Sequence, residues 1–189
     1  NSNKAQNVLN IDSPYFIFVG RLEKRKNIVR ILDAFNKFKQ KSKTNHKLVL
    51  AGKKGYGYNE IIDKINESSE LKKDIIITGY IDDKKLANLY ALSDGLIYPS
   101  LYEGFGLPVL EAMASSIPVL TSDIPTIKEI AGDAAFYVNP EDVEDIAFGM
   151  NKIIQKETRE ALVLKGKDQV RKFSWKKSAL IILNYLEEM

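Results

Sequence analysis

Cysteine is absent from this 189-residue sequence, histidine occurs once, at His46, and tryptophan once, at Trp175. Zero cysteines exclude a disulfide framework and fit a cytoplasmic protein. One histidine and no thiol leave no compelling metal-binding cluster, so no metal is expected. No apolar run approaches the ~20 residues of a membrane span, and no signal peptide, internal repeat or low-complexity block is visible. Neither sign of charge dominates: the formal net charge is +3, and no nucleic-acid partner is expected. The 44% of hydrophobic and 28% of charged residues are those of an ordinary folded protein, not a disordered one.

Six apolar runs, at 15–19, 47–51, 75–78, 95–98, 118–121 and 135–138, read as strands with helical patterns between most of them. Short, mostly buried strands alternating with helices predict an α/β fold, a Rossmann-like parallel sheet with helices on both faces. Ligands of such sheets bind beyond the carboxyl ends of the strands, where the strand order reverses. After Pro140 the chain reads as three helices, over 141–155, 158–170 and 174–188. One domain over 15–189 is the simplest division. Residues 1–14, polar and without an initiating methionine, read as an interdomain linker or a cloning remnant of an excised domain.

The strongest site signal is Pro99-Ser-Leu-Tyr-Glu-Gly-Phe-Gly-Leu-Pro-Val-Leu-Glu-Ala-Met-Ala114. Gly104 and Gly106 forbid a continuous helix, and Pro108 suits a first helical position, where its missing N–H costs nothing. A helix beginning near Leu107 aims unpaired N–H groups and its positive dipole end at Phe105–Leu107, where an anion would be met by donors already in place. Glu103 precedes that turn and Glu111 lies in the helix. A carboxylate accepts hydrogen bonds and donates none, which suits it to sugar hydroxyls and not to phosphate. Phosphate to backbone and hydroxyls to carboxylates is the expected division. Taken singly, Glu111 is as well explained as a first-turn helix residue and Glu103 as a solvated loop residue.

A second element, Gly20-Arg21-Leu22-Glu23-Lys24-Arg25-Lys26-Asn27, follows the first strand and precedes a helical pattern of Ile28, Ile31, Leu32, Phe35 and Phe38. Arg21 offers a planar fork and Lys26 a mobile point charge, a pair suited to the two phosphates of a nucleotide diphosphate. Asn27 is expected to cap the helix. In isolation the run would read as a solvated basic loop. Its place after a strand of the same sheet as the glycine turn argues for a site.

These blocks resemble the nucleotide-sugar-binding C-terminal domain of GT-B-fold, retaining glycosyltransferases of group 1, the GT4 type, over nearly the whole chain. The resemblance rests on Gly20-Arg21-Leu22 with Lys26-Asn27, on Gly79-Tyr80-Ile81, and on Glu103 and Glu111 with seven residues between them around Gly-Phe-Gly-Leu-Pro. Pro118-Val119, Ala131-Gly132-Asp133-Ala134 and Phe173-Ser174-Trp175 also match later blocks. It implies transfer of a hexose from a nucleotide-diphosphate sugar to a glycan or lipid-linked acceptor, with no cofactor and no bound metal. Arg21, Lys26 and Glu103 would form the catalytic set, the two cations binding the diphosphate and stabilising the leaving group. Glu103 and the backbone of Gly104 and Phe105 would hold the donor sugar, Gly106 and Leu107 would face the phosphates, and Glu111 would hold the ribose. Gly20 would permit close approach, and Tyr80 and Ile81 would lie beside the base. The Pro99–Pro108 block is especially similar to mannosyltransferases, which makes GDP-mannose the first donor to consider.

The same resemblance implies an N-terminal acceptor domain that these residues lack, so the chain alone would bind donor and transfer little. The terminal helix, with Trp175, Leu180, Ile181, Leu183 and Leu186, would cross toward that domain. Without it the helix would expose an apolar strip, pair with a second copy as a homodimer, or complete this domain's own core. The lysines at 37, 39, 41, 43 and 47 read as a solvated face, with a lipid-linked acceptor at the inner membrane surface as the minority reading. Tyr56 and Tyr58 border the pocket or belong to a plain turn. Other readings remain open: another GT-B enzyme, a nucleotide-sugar epimerase or a glycan phosphorylase, or a non-enzymatic nucleotide-binding module. The last does not require Arg21, Lys26, Glu103 and Glu111 together.

Overall fold

A computed structural model describes residues 9–187. Six strands, β1 (Tyr15–Val19), β2 (Lys47–Ala51), β3 (Ile75–Gly79), β4 (Gly95–Tyr98), β5 (Val119–Ser122) and β6 (Phe136–Val138), form one sheet in the order β3-β2-β1-β4-β5-β6. All neighbouring pairs are parallel. The order reverses between β1 and β4, which opens a crevice at their carboxyl ends. Every residue of β1 and β4 is buried, as expected of central strands covered on both faces, whereas the isoleucines of the edge strand β3 are only half-buried.

The helices are α1 (Ile28–Ser42), α2 (Tyr58–Asn66), α3 (Ser69–Asp74), α4 (Asp83–Leu92), α5 (Leu107–Ala114), α6 (Pro125–Ala131), α7 (Val143–Ile153), α8 (Lys156–Val170) and α9 (Trp175–Glu187). Right-handed crossovers put α1 and α5 on opposite faces; α7 packs on α1, β5 and β6, and α8 on α5. The stripe Ile28, Ile31, Leu32, Phe35 and Phe38 of α1 faces the core, as its helical spacing predicts.

Several boundaries move for local reasons. Pro118 stays outside β5 because it has no N–H for the ladder, although its carbonyl accepts from Leu96. The helix expected from 141 starts at Val143, because Asp142 caps it through the amides of Glu144 and Asp145. Residues 1–8 of the expected linker and position 188 of the expected last helix lie outside the described residues; Leu9 and Ile11 pack against the core.

Side-chain partners and exposure bear on two other expectations. Lys37 and Lys41 share Glu144, and Lys39 and Lys47 share Asp74, so each carboxylate offsets part of the charge of two lysines, with Lys37 and Lys41 largely in solvent. α9 does not complete the core: Trp175, Leu180, Ile181, Leu183 and Leu186 are all exposed.

Candidate functional site

Three glycines shape the floor at the carboxyl ends of β1, β2 and β3. Gly20 N donates to the Ala51 carbonyl and Gly52 N to the Gly79 carbonyl, both at 2.9 Å. A Cβ on Gly52 would overlap the carbonyl oxygen of Gly20, so the two chains meet there only because Gly52 has no side chain. Gly20 also lies against the Lys26 side chain. Main-chain bonds then dock the loop after β1 onto its neighbour: Leu22 N to Lys53 O (2.9 Å), Gly55 N to Leu22 O (3.0 Å) and Lys24 N to Tyr56 O (2.9 Å).

A single 3-10 turn over Lys24–Lys26 returns the Lys26 side chain to Tyr98, the last residue of β4. Lys26 Nζ donates to Tyr98 Oη at 2.6 Å and to Glu103 Oε1 at 2.5 Å. Lys26 is 6% and Glu103 5% exposed, so the ion pair is screened from water on nearly every side. Arg25 takes the other carboxylate oxygen: its Nη1 donates to Glu103 Oε2 at 3.3 Å and to the Tyr102 carbonyl at 3.2 Å, while its Nε pairs with Glu23 at 2.7 Å.

Burial tends to discharge both members of the pair, and it pulls the Lys26 ammonium below lysine's ordinary value despite the Glu103 hydrogen bond. Burial by itself would raise Glu103, but the hydrogen bond and charge of Lys26 outweigh it and hold the carboxyl below its usual range. With Lys26 and Arg25 each donating to one of its oxygens, the charged form of the carboxylate is the one this geometry favours. Burial, then the nearby Glu103 charge, keeps the Tyr98 phenol raised and protonated.

Asn27 corrects an expectation. It stands at the N-cap of α1, but its φ of 63° turns the side chain away from the helix amides and it makes no cap bond. Its Nδ2 donates instead to the carbonyls of Pro99 at 3.0 Å and Pro140 at 2.6 Å. One side chain thus ties together the loops after β1, β4 and β6.

The glycine turn matches its reading closely. Gly106 takes φ 99° at the N-cap of α5, and Pro108 falls in the first turn, leaving the leading amides of α5 free of side-chain caps. A Cβ on Gly106 would come within 2.7 Å of Ile127, whereas one on Gly104 would meet nothing within 4 Å. Space therefore lies directly over the Gly104 backbone. Arg21 is exposed and makes no side-chain hydrogen bond or ion pair among the described residues.

Glu111 points a carboxylate oxygen at the hydroxyl of buried Tyr90, which donates to it at 3.0 Å. It also borders a groove of about 330 Å³ lined by Phe105, Leu107, Leu110, Phe173 and Trp175. Phe105 is exposed beside this groove, its ring edge-on to Phe173. Exposed Tyr80 and half-buried Ile81 follow β3, two strands from Lys26, with Lys53 Nζ 4.9 Å over the Tyr80 ring. Tyr56 is exposed, and Tyr58 opens α2 beneath Lys54. Lys26, Glu103 and Gly20 are thus in one contact cluster, while Glu111, Tyr80 and Ile81 occupy separate stations along the strand ends.

Arg25, Tyr98 and Tyr90 went unnoticed in the sequence. A run of four cations does not say which ones turn inward, and a tyrosine in an apolar strand reads as core. A hydroxyl on the last residue of a strand, beside a site loop, is the signal that would have singled out Tyr98.

Comparison with known proteins places this geometry in a family. Residues 1–169 match the family model described as glycosyl transferases group 1. The O-antigen chain mannosyltransferase B of Escherichia coli is 33% identical over 171 residues, which cover 90% of this chain and 45% of that protein. A serotype-specific mannosyltransferase, WbdA of Escherichia coli, is 34% identical over 174 residues, 92% of this chain and 21% of that protein. Among solved structures, sucrose-phosphate synthase from Thermosynechococcus elongatus superposes with a TM-score of 0.82 at 26% identity, over 94% of this chain and 45% of that one. The chain spans less than half the length of these relatives.

Proposed function

The chain belongs to the group 1 glycosyl transferases, and from that premise we propose that it is the donor-binding domain of a retaining enzyme that moves a hexose from a nucleotide-diphosphate sugar to a glycan or lipid-linked acceptor. The observation that carries this reading is the meeting, at the crevice between β1 and β4, of three features. They are a carboxylate fixed by two cations, an exposed arginine unpaired among the described residues, and an open glycine backbone leading into the N-terminus of α5.

Each part has a task. Cleavage of the sugar–phosphate bond builds negative charge on the departing diphosphate, and groups that hold it more strongly in the transition state lower the barrier. Arg21 is free to engage the diphosphate directly. The leading amides of α5 at Gly106 and Leu107 add donors and a positive dipole end. Lys26, next to Gly20, supplies the buried positive charge, and Glu103 with the backbone of Gly104 and Phe105 accepts and orients the sugar hydroxyls. Glu111, steadied by Tyr90, serves the ribose hydroxyls, and Tyr80 and Ile81 border the base. The likeness to O-antigen mannosyltransferases supports mannose as the hexose and GDP-mannose as the donor. An acceptor-binding domain supplies the remainder of the enzyme, with α9 as the apolar helix that returns to it. A lipid-linked acceptor would place the work at the cytoplasmic face of a membrane.

The test is calorimetric titration of the chain with GDP, UDP, ADP and GDP-mannose, repeated with Glu111→Ala. Selective binding that the substitution weakens supports the donor site and identifies the base. No binding to any of the four, in this chain and in the full-length enzyme, rejects it.

A further inference from the structure

Resting on that donor-site reading, we propose that Arg25 is a positioning residue for the donor sugar, acting through Glu103. The two oxygens of the Glu103 carboxylate are held by different cations, Oε1 by Lys26 and Oε2 by Arg25. Lys26 is also the cation beside Gly20, where the diphosphate is to be bound, so an arriving phosphate competes with Oε1 for the same ammonium. Arg25 is not shared in that way. Its Nη1 bonds the carboxylate and the Tyr102 carbonyl together, and its Nε lies in an ion pair with Glu23. Glu103 therefore keeps one fixed oxygen and a fixed plane when Lys26 turns to the phosphate, and the sugar meets an oriented acceptor.

The guanidinium suits this task because one rigid planar group bonds the Glu103 carboxylate and the Tyr102 carbonyl together while its Nε lies in an ion pair with Glu23, a combination a lysine cannot reproduce. Its side chain is 46% exposed, so removing it leaves no cavity in the core. The amide of Leu101 bonds to the Arg25 carbonyl at 2.9 Å, a main-chain contact that survives any substitution and keeps the loops after β1 and β4 docked.

Arg25→Met keeps the length of the stem and removes the fork. The experiment compares nucleoside diphosphate with its hexose conjugate, as GDP with GDP-mannose, UDP with UDP-glucose and ADP with ADP-glucose, by calorimetry on the chain. In Arg25→Met the affinity for the diphosphate stays within about twofold of the parent, while the ratio of conjugate to diphosphate affinity falls by about fivefold or more. Arg25→Lys, which keeps the charge and can reach a single acceptor, recovers only part of that ratio and serves as the second variant should Arg25→Met fold poorly. Equal weakening of both ligands would assign Arg25 a general electrostatic or structural role, and an unchanged ratio would leave Glu103 independent of it; either overturns the proposal. Failure of the parent chain to bind any of the three pairs rejects the donor reading itself, and this inference with it.

Discussion

Lys26 Nζ and Glu103 Oε1 meet at 2.5 Å with both side chains removed from solvent. Such a pair stabilises a fold little in net terms, because desolvation offsets most of the attraction, yet breaking it from one side strands a buried charge. Lys26→Met is therefore expected to destabilise the domain by about 3–5 kcal/mol in urea unfolding. Adding Glu103→Leu should restore most of the loss. Additive losses in the double variant would mean that the two residues are not energetically coupled. The result also sets how turnover of a Lys26 variant is read, since a fall in activity has to be separated from a fall in folded population.

Arg21 offers the opposite contrast. Its side chain is exposed and unpaired among the described residues, so Arg21→Ala should change stability by no more than about 0.5 kcal/mol. Diphosphate binding should weaken, and turnover of the full-length enzyme should fall by about 10²–10³ if the guanidinium holds the leaving group. Near-normal turnover would remove Arg21 from the chemistry.

Two glycines separate fold from function. Gly104→Ala places a methyl in open space, so the melting temperature should hardly move, while donor binding weakens if the sugar lies over Gly104 as proposed. Gly52→Ala drives a methyl into the Gly20 carbonyl and should cost about 1–3 kcal/mol or more. A Gly104→Ala variant that binds donor like the parent would place the sugar elsewhere.

The strands were legible because each is a short apolar run stopped by Gly, Pro or a polar residue, and α1 because five large residues repeat at helical spacing. α3 was not, since only Leu71 of its six residues is buried and one residue has no period. The glycine turn was legible because Gly106 and Pro108 each admit few conformations. Asn27 misled because the capping rule assumes an extended residue, and at φ 63° the same side chain faces other loops. Arg25 and Lys26 look alike in sequence, and only the 3-10 turn gives one of them the interior.

Asp74 ties α3 to α1 and β2. Burial would raise its carboxyl, but hydrogen bonds from Lys39 and Lys47 outweigh this and set it below its unfolded value of 3.8. A depressed carboxyl contributes stability that is present above the unfolded value and lost as pH falls through the folded one. Asp74→Asn should therefore be less stable than the parent by about 1 kcal/mol at neutral pH, with the gap closing in acid below 3.8. Urea unfolding of both proteins across pH gives the comparison, and a gap independent of pH would mean that the ion pairs contribute nothing.

The loop that carries Arg21 and Lys26 is fastened to its neighbours by the backbone, through Leu22, Lys24 and Gly55 on one side and Leu101 on the other. Its shape is consequently indifferent to most of the side chains it displays. A lineage built on this frame can exchange Tyr80, Phe105 or Tyr56, all exposed at the rim, without remaking the loop. If the proposed donor site is right, divergence in the choice of sugar or base can then proceed by single substitutions, each tested by selection against an unaltered loop.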